Sequence, residues 1–254
     1  MTLQVVKVGS SSIVRNGSVA YQNLDRLCYE IAEMRYKDRT DTVLVVSGAI
    51  PLGMSKKGIS KRPEDKAQLQ SCARAGQPEL MRVYNDAFAT AGKKGLNYLI
   101  GSEYLVTYDN LATPKRRKLI VDGINLDVSQ GQIPLINYND GVDPEEAQKD
   151  NDRLAAEIAK CINAERLIIL GVVGGVMKDN RIISEIDEIT DEIMQLDEGA
   201  GENGTGGLTT KLEAAKIVMP EGIHLYMGNV ELGIRALIER KSGTYFKPKS
   251  KRFF

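Results

Sequence analysis

Two lysines, each close to glycine, are the residues of this chain best suited to chemistry on phosphate. Lys7 lies near the end of the apolar run Leu3-Gln-Val-Val-Lys-Val and is followed by Gly9 and three serines. Lys211 ends the segment Gly204-Thr205-Gly206-Gly207-Leu-Thr-Thr-Lys211. Glycines let backbone N–H groups approach phosphate oxygens, and the first turn of a following helix favours negative charge. A lysine at that point can neutralise a phosphoryl group during transfer.

Each of these signals also has a plainer interpretation. Glycine-rich loops before helices are common, and a lysine at a strand end can point to solvent from an edge strand. A lysine in a buried strand costs free energy unless it is paired, which favours a functional role for Lys7. The letters of Gly199–Gly204 match a dinucleotide-binding fingerprint, but Glu192–Glu198 predicts an acidic helix where a strand should precede it. The sequence contains no G-x-x-x-x-G-K-[ST] motif.

Carboxylates and amides cluster at two further places, Asn137-Tyr138-Asn139-Asp140 and Asp150-Asn151-Asp152. Amides can bind the amino and carboxyl groups of an amino acid. Aspartates can bind an ammonium group, hold a lysine, or bind Mg²⁺ through water. The second cluster precedes a predicted helix that begins at Arg153, so we expect it to combine N-capping with function.

Short apolar runs alternate with helical patterns along the chain, which predicts an α/β fold with a mostly parallel, doubly covered sheet. The predicted strands are Leu3–Val8, Val43–Val46, Tyr98–Ile100, Ile133–Ile136, Leu167–Leu170 and Leu225–Met227. The predicted helices are Asn23–Tyr36, Thr113–Gln130, Arg153–Asn163, Thr209–Val218 and Val230–Glu239. Gly53–Pro63 reads as a surface loop, and Arg240–Phe254 as a terminal hairpin with solvated charges. Because ligands bind at the carboxyl ends of parallel strands, the segments after the strands predict one shared site.

The amino-acid composition argues against several classes of partner and of catalytic site. The 254 residues contain 34 basic and 34 acidic side chains, so the balance gives no general attraction to nucleic acid or anionic lipid. The one histidine, His224, makes a histidine metal centre or a histidine-based triad untenable, and a packing role is expected. The three separated cysteines predict reduced, buried thiols in a cytoplasmic protein. No signal peptide and no apolar run near the roughly 20 residues of a membrane span are found.

Taken together, the motifs resemble the amino-acid-kinase superfamily, and within it the glutamate 5-kinase family. The matching segments keep the order and spacing of the family over essentially the whole chain. They are Val6-Lys7-Val-Gly9-Ser-Ser, Ser47-Gly48-Ala49-Ile50, Gly76-Gln77-x-x-Leu80-Met81, Ile133-Pro134-Leu-Ile136-Asn137-x-Asn139-Asp140, Asp150-Asn151-Asp152, Gly204-Thr-Gly-Gly207-x-x-Thr210-Lys211 and Gly243-Thr244-x-Phe246.

The resemblance implies phosphoryl transfer from ATP, used with Mg²⁺, to the side-chain carboxylate of L-glutamate, the first step of proline biosynthesis. It implies a three-layer αβα sandwich formed by a single domain over residues 1–254. Residues 1–152 would bind the acceptor and residues 153–254 the nucleotide. A homo-oligomer, dimer or tetramer, is expected, and feedback by proline stays open.

The resemblance also assigns roles to individual residues. Those implied to be catalytic are Lys7, Lys211 and Asp152, with the aspartate orienting the lysines. Those implied to hold glutamate are Ser47, Gly48, Asn137, Asp140 and Asn151. Those implied to bind the nucleotide are Lys7, Gly9, Gly171, Val172, Thr205, Gly206, Gly207 and Lys211. No side chain is assigned to a metal.

The sequence departs from the family pattern at three points. Val172 stands where the family usually has an aspartate near the nucleotide, which motivates the hypothesis of a non-catalytic paralogue. Tyr138 replaces a glutamate beside the acceptor site, which motivates the hypothesis of a different small acceptor. The RNA-binding-like C-terminal domain of many members is not expected here.

Overall fold

An eight-stranded, mostly parallel sheet organises the computed structural model, which describes residues 2–15, 17–96, 98–142, 151–196 and 207–249. The strands of the main sheet are β1 (Thr2–Val8), β4 (Thr40–Val45), β5 (Gly101–Val106), β6 (Ile133–Tyr138), β7 (Arg166–Gly171), β10 (Glu185–Ile186), β11 (His224–Asn229) and β12 (Thr244–Phe246). Two small ribbons are formed by β2 (Val14–Arg15) with β3 (Ser18–Val19) and by β8 (Met177–Lys178) with β9 (Arg181–Ile182).

The helices lie between the strands. They are α1 (Ser10–Ile13), α2 (Tyr21–Asp38), α3 (Ala49–Lys56), α4 (Lys66–Lys93), α5 (Tyr108–Ala112), α6 (Pro114–Ser129), α7 (Asn151–Cys161), α8 (Asp191–Gln195), α9 (Leu208–Val218) and α10 (Ile234–Ile238). Short 3₁₀ turns occupy Met219–Glu221 and Val230–Leu232. Gly233, at a φ of 83°, separates the second turn from α10, so the predicted helix Val230–Glu239 is interrupted.

The strand order is β10-β12-β11-β7-β1-β4-β6-β5. The six strands from β11 to β5 run parallel, whereas β12 is antiparallel to β11. β1 lies inside the sheet, between β7 and β4, so its lysine is not on an edge strand. The main-sheet strands that follow β1 in the chain, β4 to β6, lie on one side of it, and the next strand of the main sheet, β7, lies on its other side. Such a change of direction is where open α/β sheets bind ligands.

Two apolar layers cover the faces of the sheet, which confirms the predicted sandwich. On one face α2, α3, α4 and α10 pack against residues such as Val6, Val8 and Leu135. On the other face α6, α7 and α9 pack against Val5 and Ile136. All six residues of β4 are buried, as its continuous apolar run predicted.

Three local predictions were wrong. The third strand is not Tyr98–Ile100 but Gly101–Val106, an edge strand whose alternating exposure gives no apolar run. Gly53–Pro63 is not wholly a loop, because α3 continues to Lys56. In the described part of the tail, up to residue 249, Thr244–Phe246 forms no separate hairpin but joins the main sheet as β12, between β11 and β10.

The contact between α3 and α4 depends on two glycines. A Cβ atom added at Gly76 would lie 1.9 Å from the carbonyl oxygen of Ala49, and one added at Gly53 would lie 1.8 Å from the carbonyl oxygen of Cys72. These atoms belong to helix backbone and cannot rotate away. The two helices therefore approach each other as closely as backbones allow, and α3 begins directly after Ser47-Gly48.

Replacing Gly76 with alanine should force α3 and α4 apart. We expect Gly76→Ala to lower the free energy of unfolding by at least the ~1–3 kcal/mol typical of overpacking. Gly171→Ala is the matched control, because the nearest atom to its new Cβ is 3.9 Å away. Urea unfolding compares them, and equal midpoints for the two variants would contradict the close approach.

Candidate active site

Lys7 is buried near the carboxyl end of β1 and is paired there. Alternation along the strand places Lys7 on the same face as Val5, the face covered by α7 and α9. Its Nζ lies 2.5 Å from Asp152 Oδ1, and the two side chains are 6% and 0% exposed. The prediction that a lysine in this strand must have a partner is confirmed.

Asp152 bonds a second lysine through its other oxygen. Lys211 Nζ lies 3.0 Å from Asp152 Oδ2, and the lysine side chain is 17% exposed. Asp152 lies in the first turn of α7, and Lys211 lies in the first turn of α9, which packs beside it. One buried carboxylate thus holds two ammonium groups that come from different elements.

The first turn of α9 adds further polar groups around this carboxylate. Thr210 Oγ1 lies 3.1 Å from Asp152 Oδ2, and Lys211 Nζ also donates to the carbonyl oxygen of Gly207. Gly207 is the N-cap residue of α9. The N–H groups of a helix's first turn have no partner within the helix, so they favour an anion at this end.

Asn151, the residue before Asp152, holds the ends of two strands together. Its Nδ2 donates to the carbonyl oxygen of Val46 at 2.9 Å, to Ser47 Oγ at 2.6 Å and to Asn137 Oδ1 at 3.0 Å. The described part of the helix already includes Asn151 and Asp152, so it begins before the predicted Arg153. N-capping by this segment stays a prediction. Asp150 lies outside the described residues.

The segments that contain Gly48 and Asp140 flank this amide cluster. Gly48 has a φ of 129°, and an added Cβ would lie 3.3 Å from Val14 Cγ2, so a side chain is disfavoured there. Asp140 is half-buried in the turn after β6. Arg74 of α4 donates to the carbonyl oxygen of Gly141 at 2.6 Å and so holds that turn.

The predicted nucleotide residues lie across β1 from the amides. The N–H of Gly9 donates to the carbonyl oxygen of Leu170 at 3.0 Å, joining the ends of β1 and β7. Val172 is 50% exposed, and its carbonyl oxygen accepts from Asn229 Nδ2 at 3.0 Å. Gly171 ends β7 beside it. Thr205 and Gly206 lie outside the described residues.

Tyr138 lies on the other face of the sheet from Asn137. It is 4% exposed in the apolar layer of α6 and α7, and its ring stacks on that of Tyr108 with centroids 5.8 Å apart. Asn137 instead contacts Gln77 of α4. The tyrosine that replaces the family's glutamate is therefore on the opposite face of the sheet from Asn137.

The remaining reactive side chains serve packing. His224 lies in β11, where its Nδ1 is 2.9 Å from Tyr245 Oη, and burial lowers its pKa. The three cysteines are free. Cys28 and Cys72 are buried as predicted, whereas Cys161 is only half-buried, and burial raises the pKa of Cys28 and of Cys161. Within the described ranges, no helix combines the length and apolar character that crossing a membrane requires.

Sequence reasoning missed several residues that contact the site. Thr210, Gln77 and Asn229 each hydrogen-bond a predicted site residue. Thr210 and Gln77 fall in segments that resemble the family, so the motifs contained the signal. Asn229 was missed although Gly228-Asn229 directly follows the predicted strand Leu225–Met227, the kind of position that marked the other site segments.

Comparisons with known proteins identify a matching family model and similar curated proteins. The family model described as the amino acid kinase family matches residues 2–229. A glutamate 5-kinase of Lactococcus lactis subsp. lactis is 37% identical, with 97% of this chain and 95% of the relative covered. One from Clostridium perfringens is 34% identical, with 89% and 87% covered. A glutamate 5-kinase of Carboxydothermus hydrogenoformans is 33% identical and is covered over 68% of its length.

Solved structures support the fold. Carbamate kinase from Giardia lamblia bound to AMP-PNP superposes with a TM-score of 0.67 at 17% identity, covering 98% of this chain and 99% of that one. A protein of Aeropyrum pernix K1 gives the same TM-score at 19% identity. At these identities the likeness concerns the arrangement of helices and strands.

Removing the shared carboxylate should destabilise the protein. In Asp152→Asn, a buried lysine must lose its proton or stay uncompensated, so we expect a loss of about 3 kcal/mol or more in unfolding free energy. Asp86→Asn is the matched control, because Asp86 is 61% exposed in its pair with Arg82 and should contribute about 1 kcal/mol or less. Equal losses in denaturant titrations would show that the buried triad contributes little.

Proposed function

The chain belongs to the amino acid kinase family, and on this premise we propose that it transfers the γ-phosphoryl group of ATP to the side-chain carboxylate of L-glutamate. The product is L-glutamyl 5-phosphate, the first intermediate of proline biosynthesis. The observation that carries the proposal is that one carboxylate, that of the buried Asp152, holds both Lys7 and Lys211 beside a cluster of buried amides.

The two lysines are assigned to stabilise the phosphoryl group during its transfer. In phosphoryl transfer, the protein mainly positions the reactants and stabilises charge on the transferring group. Lys7 and Lys211 reach Asp152 from different elements, so a phosphoryl group beside it would meet one ammonium from β1 and another from α9. Asp152 touches both lysines and orients them. The first turn of α9, with Gly207, is proposed to face the phosphates.

The amide cluster is assigned to the acceptor. Ser47, Asn137 and Asn151 lie within hydrogen-bonding distance of one another in a chain, and the turn that contains Asp140 flanks them. A cluster of amides, a hydroxyl and a carboxylate can bind both the ammonium and the carboxylate of an amino acid. Gly48 would let the backbone approach the ligand.

The reaction needs no general base. The side-chain carboxylate of glutamate is ionised at neutral pH, since its pKa is near 4.3. One of its oxygens bonds to the γ-phosphorus, the bond from that phosphorus to the bridging oxygen of ADP breaks, and ADP leaves with that electron pair. No proton is transferred, which agrees with the packing role of His224.

Magnesium is proposed to enter with the nucleotide. The described residues offer no group of three or more His, Cys, Asp or Glu side chains able to hold a metal ion. Mg²⁺ generally keeps several waters and binds substrate phosphates rather than an all-protein cage. The chain's residues fit that mode, with Asp152 engaged by two lysines and Asp140 on the acceptor side. The ion would supply charge neutralisation on the phosphates.

The nucleotide half is proposed around Gly9, Gly171 and Val172, with Thr205 and Gly206 assigned by their motif. Asn229 fixes the carbonyl of Val172, so the loop presents backbone groups where the family has a carboxylate.

The division near residue 152 into acceptor and nucleotide parts also stays a prediction, because one sheet runs through both. Homo-oligomerisation and proline feedback stay predictions. Free cysteines fit a cytoplasmic, reducing compartment.

A kinase assay tests the proposal directly. The purified chain with ATP, Mg²⁺ and L-glutamate should release ADP and, with hydroxylamine present, form glutamyl hydroxamate. Lys211→Ala should reduce the rate about 100-fold or more, as is typical when one charge-stabilising donor is lost. Glutamate-dependent ADP release no greater than that of Lys211→Ala would contradict the function.

A second variant addresses the alternative of a different acceptor. Because the Tyr138 ring is directed away from Asn137, Tyr138→Phe should change the glutamate KM by less than about threefold. This is well below the tenfold change that a loss of about 1.4 kcal/mol in binding free energy would cause. Asn137→Ala should raise it by about tenfold or more, since it breaks the amide cluster. A large effect of Tyr138→Phe on the glutamate KM alone would place this residue in acceptor recognition.

A further inference from the structure

The acceptor-side amides belong to a longer chain of hydrogen bonds that reaches the edge of the sheet. Gln77 Nε2 donates to Glu103 Oε1 at 2.7 Å, and Gln77 Oε1 accepts from Asn137 Nδ2 at 3.0 Å. Asn137 Oδ1 in turn accepts from Asn151 Nδ2 at 3.0 Å. The chain thus runs through four side chains, from β5 through α4 and β6 to α7.

Both ends of this chain are groups that can only accept. An ionised carboxylate and a backbone carbonyl have no proton to donate. Glu103 therefore requires the Nε2 of Gln77 to face it, and the carbonyl oxygen of Val46 requires the Nδ2 of Asn151 to face it. The three amides between these two ends, Gln77, Asn137 and Asn151, have one orientation that satisfies every bond. An amide that is free to flip could present either its oxygen or its nitrogen.

One polar atom is left over by this arrangement. Asn151 is 9% exposed, and its Oδ1 is buried without a hydrogen-bond partner among the described residues. Buried acceptors are normally satisfied, so an orphan in a binding site indicates a group that a ligand must supply. Ser47 Oγ already accepts from Asn151, so its proton is available to an acceptor on the ligand. Asn151 Oδ1 and the Ser47 hydroxyl together match a ligand that carries a hydrogen-bond donor and an acceptor close to each other.

We propose that Gln77 and Glu103 are positioning residues for the acceptor site. They hold Asn137 and Asn151 in the one amide orientation that presents Asn151 Oδ1 to a donor on the substrate. This inference rests on the proposed function, in which that donor is the ammonium group of glutamate. Neither residue needs to touch the substrate, because each acts through the next amide in the chain.

Exchange of the two side chains gives the sharpest test. Gln77→Glu puts two carboxylates against each other and should raise the glutamate KM by about tenfold or more, with the ATP KM unchanged. In Gln77→Glu/Glu103→Gln, the new glutamate accepts from both Asn137 and the new glutamine, so the orientation of Asn137 is preserved. The double variant should recover most of the lost glutamate affinity. A purely structural role for Gln77 predicts no such recovery.

Glutarate, which is glutamate without its ammonium group, separates orientation from general disturbance of the site. Gln77→Met removes the amide at nearly equal size. It should raise the glutamate KM by about tenfold while changing the Ki of glutarate, as a competitive inhibitor, by less than about twofold. Gln68→Met, an exposed glutamine on the same helix, is the matched control and should leave both constants unchanged. Thermal unfolding of each variant checks that the fold is retained.

The outcomes separate the two proposals. An unaltered glutamate KM in Gln77→Met, parallel rises of the glutamate KM and the glutarate Ki, or no recovery in the double variant would each overturn the role of Gln77 and Glu103. If Gln77→Glu does not fold, the Gln77→Met comparison decides alone. No glutamate turnover by the unaltered enzyme would overturn the proposed function and this inference with it.

Discussion

The pairing of one buried carboxylate with two lysines is the interaction on which the rest of this site depends. Asp152 has no exposed surface, so its charge is tolerable only with Lys7 and Lys211 in place. That requirement fixes three elements relative to one another: the end of β1, the first turn of α7 and the first turn of α9. The fold can be understood as the scaffold that holds these three ends together.

The position of β1 follows from the same requirement. A strand inside the sheet offers one face to each helical layer, so the lysine that shares a face with Val5 must meet α7 and α9. Ser47 after β4 and Asn137 in β6 then lie on one side of β1, the side proposed to bind the acceptor. The end of β7 lies on the other side, which is proposed to bind the nucleotide. The two proposed binding regions are thus separated by the strand whose lysine is proposed to serve both.

Much of this arrangement could be predicted from sequence, and the failures have physical causes. The buried strands were found from their apolar runs, and Lys7 was found because burial of a charge is costly. The 28-residue helix α4 was not predicted, since Gly76 and Pro78 usually interrupt helices, and here tertiary packing overrides them. The edge strand was misplaced because only one of its faces is covered. The face of Tyr138 required the register of β6, which its neighbours in sequence do not reveal. Thr205 and Gly206 lie outside the described residues, so their roles stay predictions.

The two glycines between α3 and α4 affect how sequences of relatives should be compared. At positions 53 and 76 the opposing backbone leaves room only for hydrogen. A relative that retains glycine there does so to keep the helices in contact, whatever molecule it binds. Shared glycine at these positions is thus a record of common architecture. Differences at Gln77 and Glu103, which are proposed to orient the acceptor-site amides, would be a better record of divergence in substrate among descendants of one ancestral kinase.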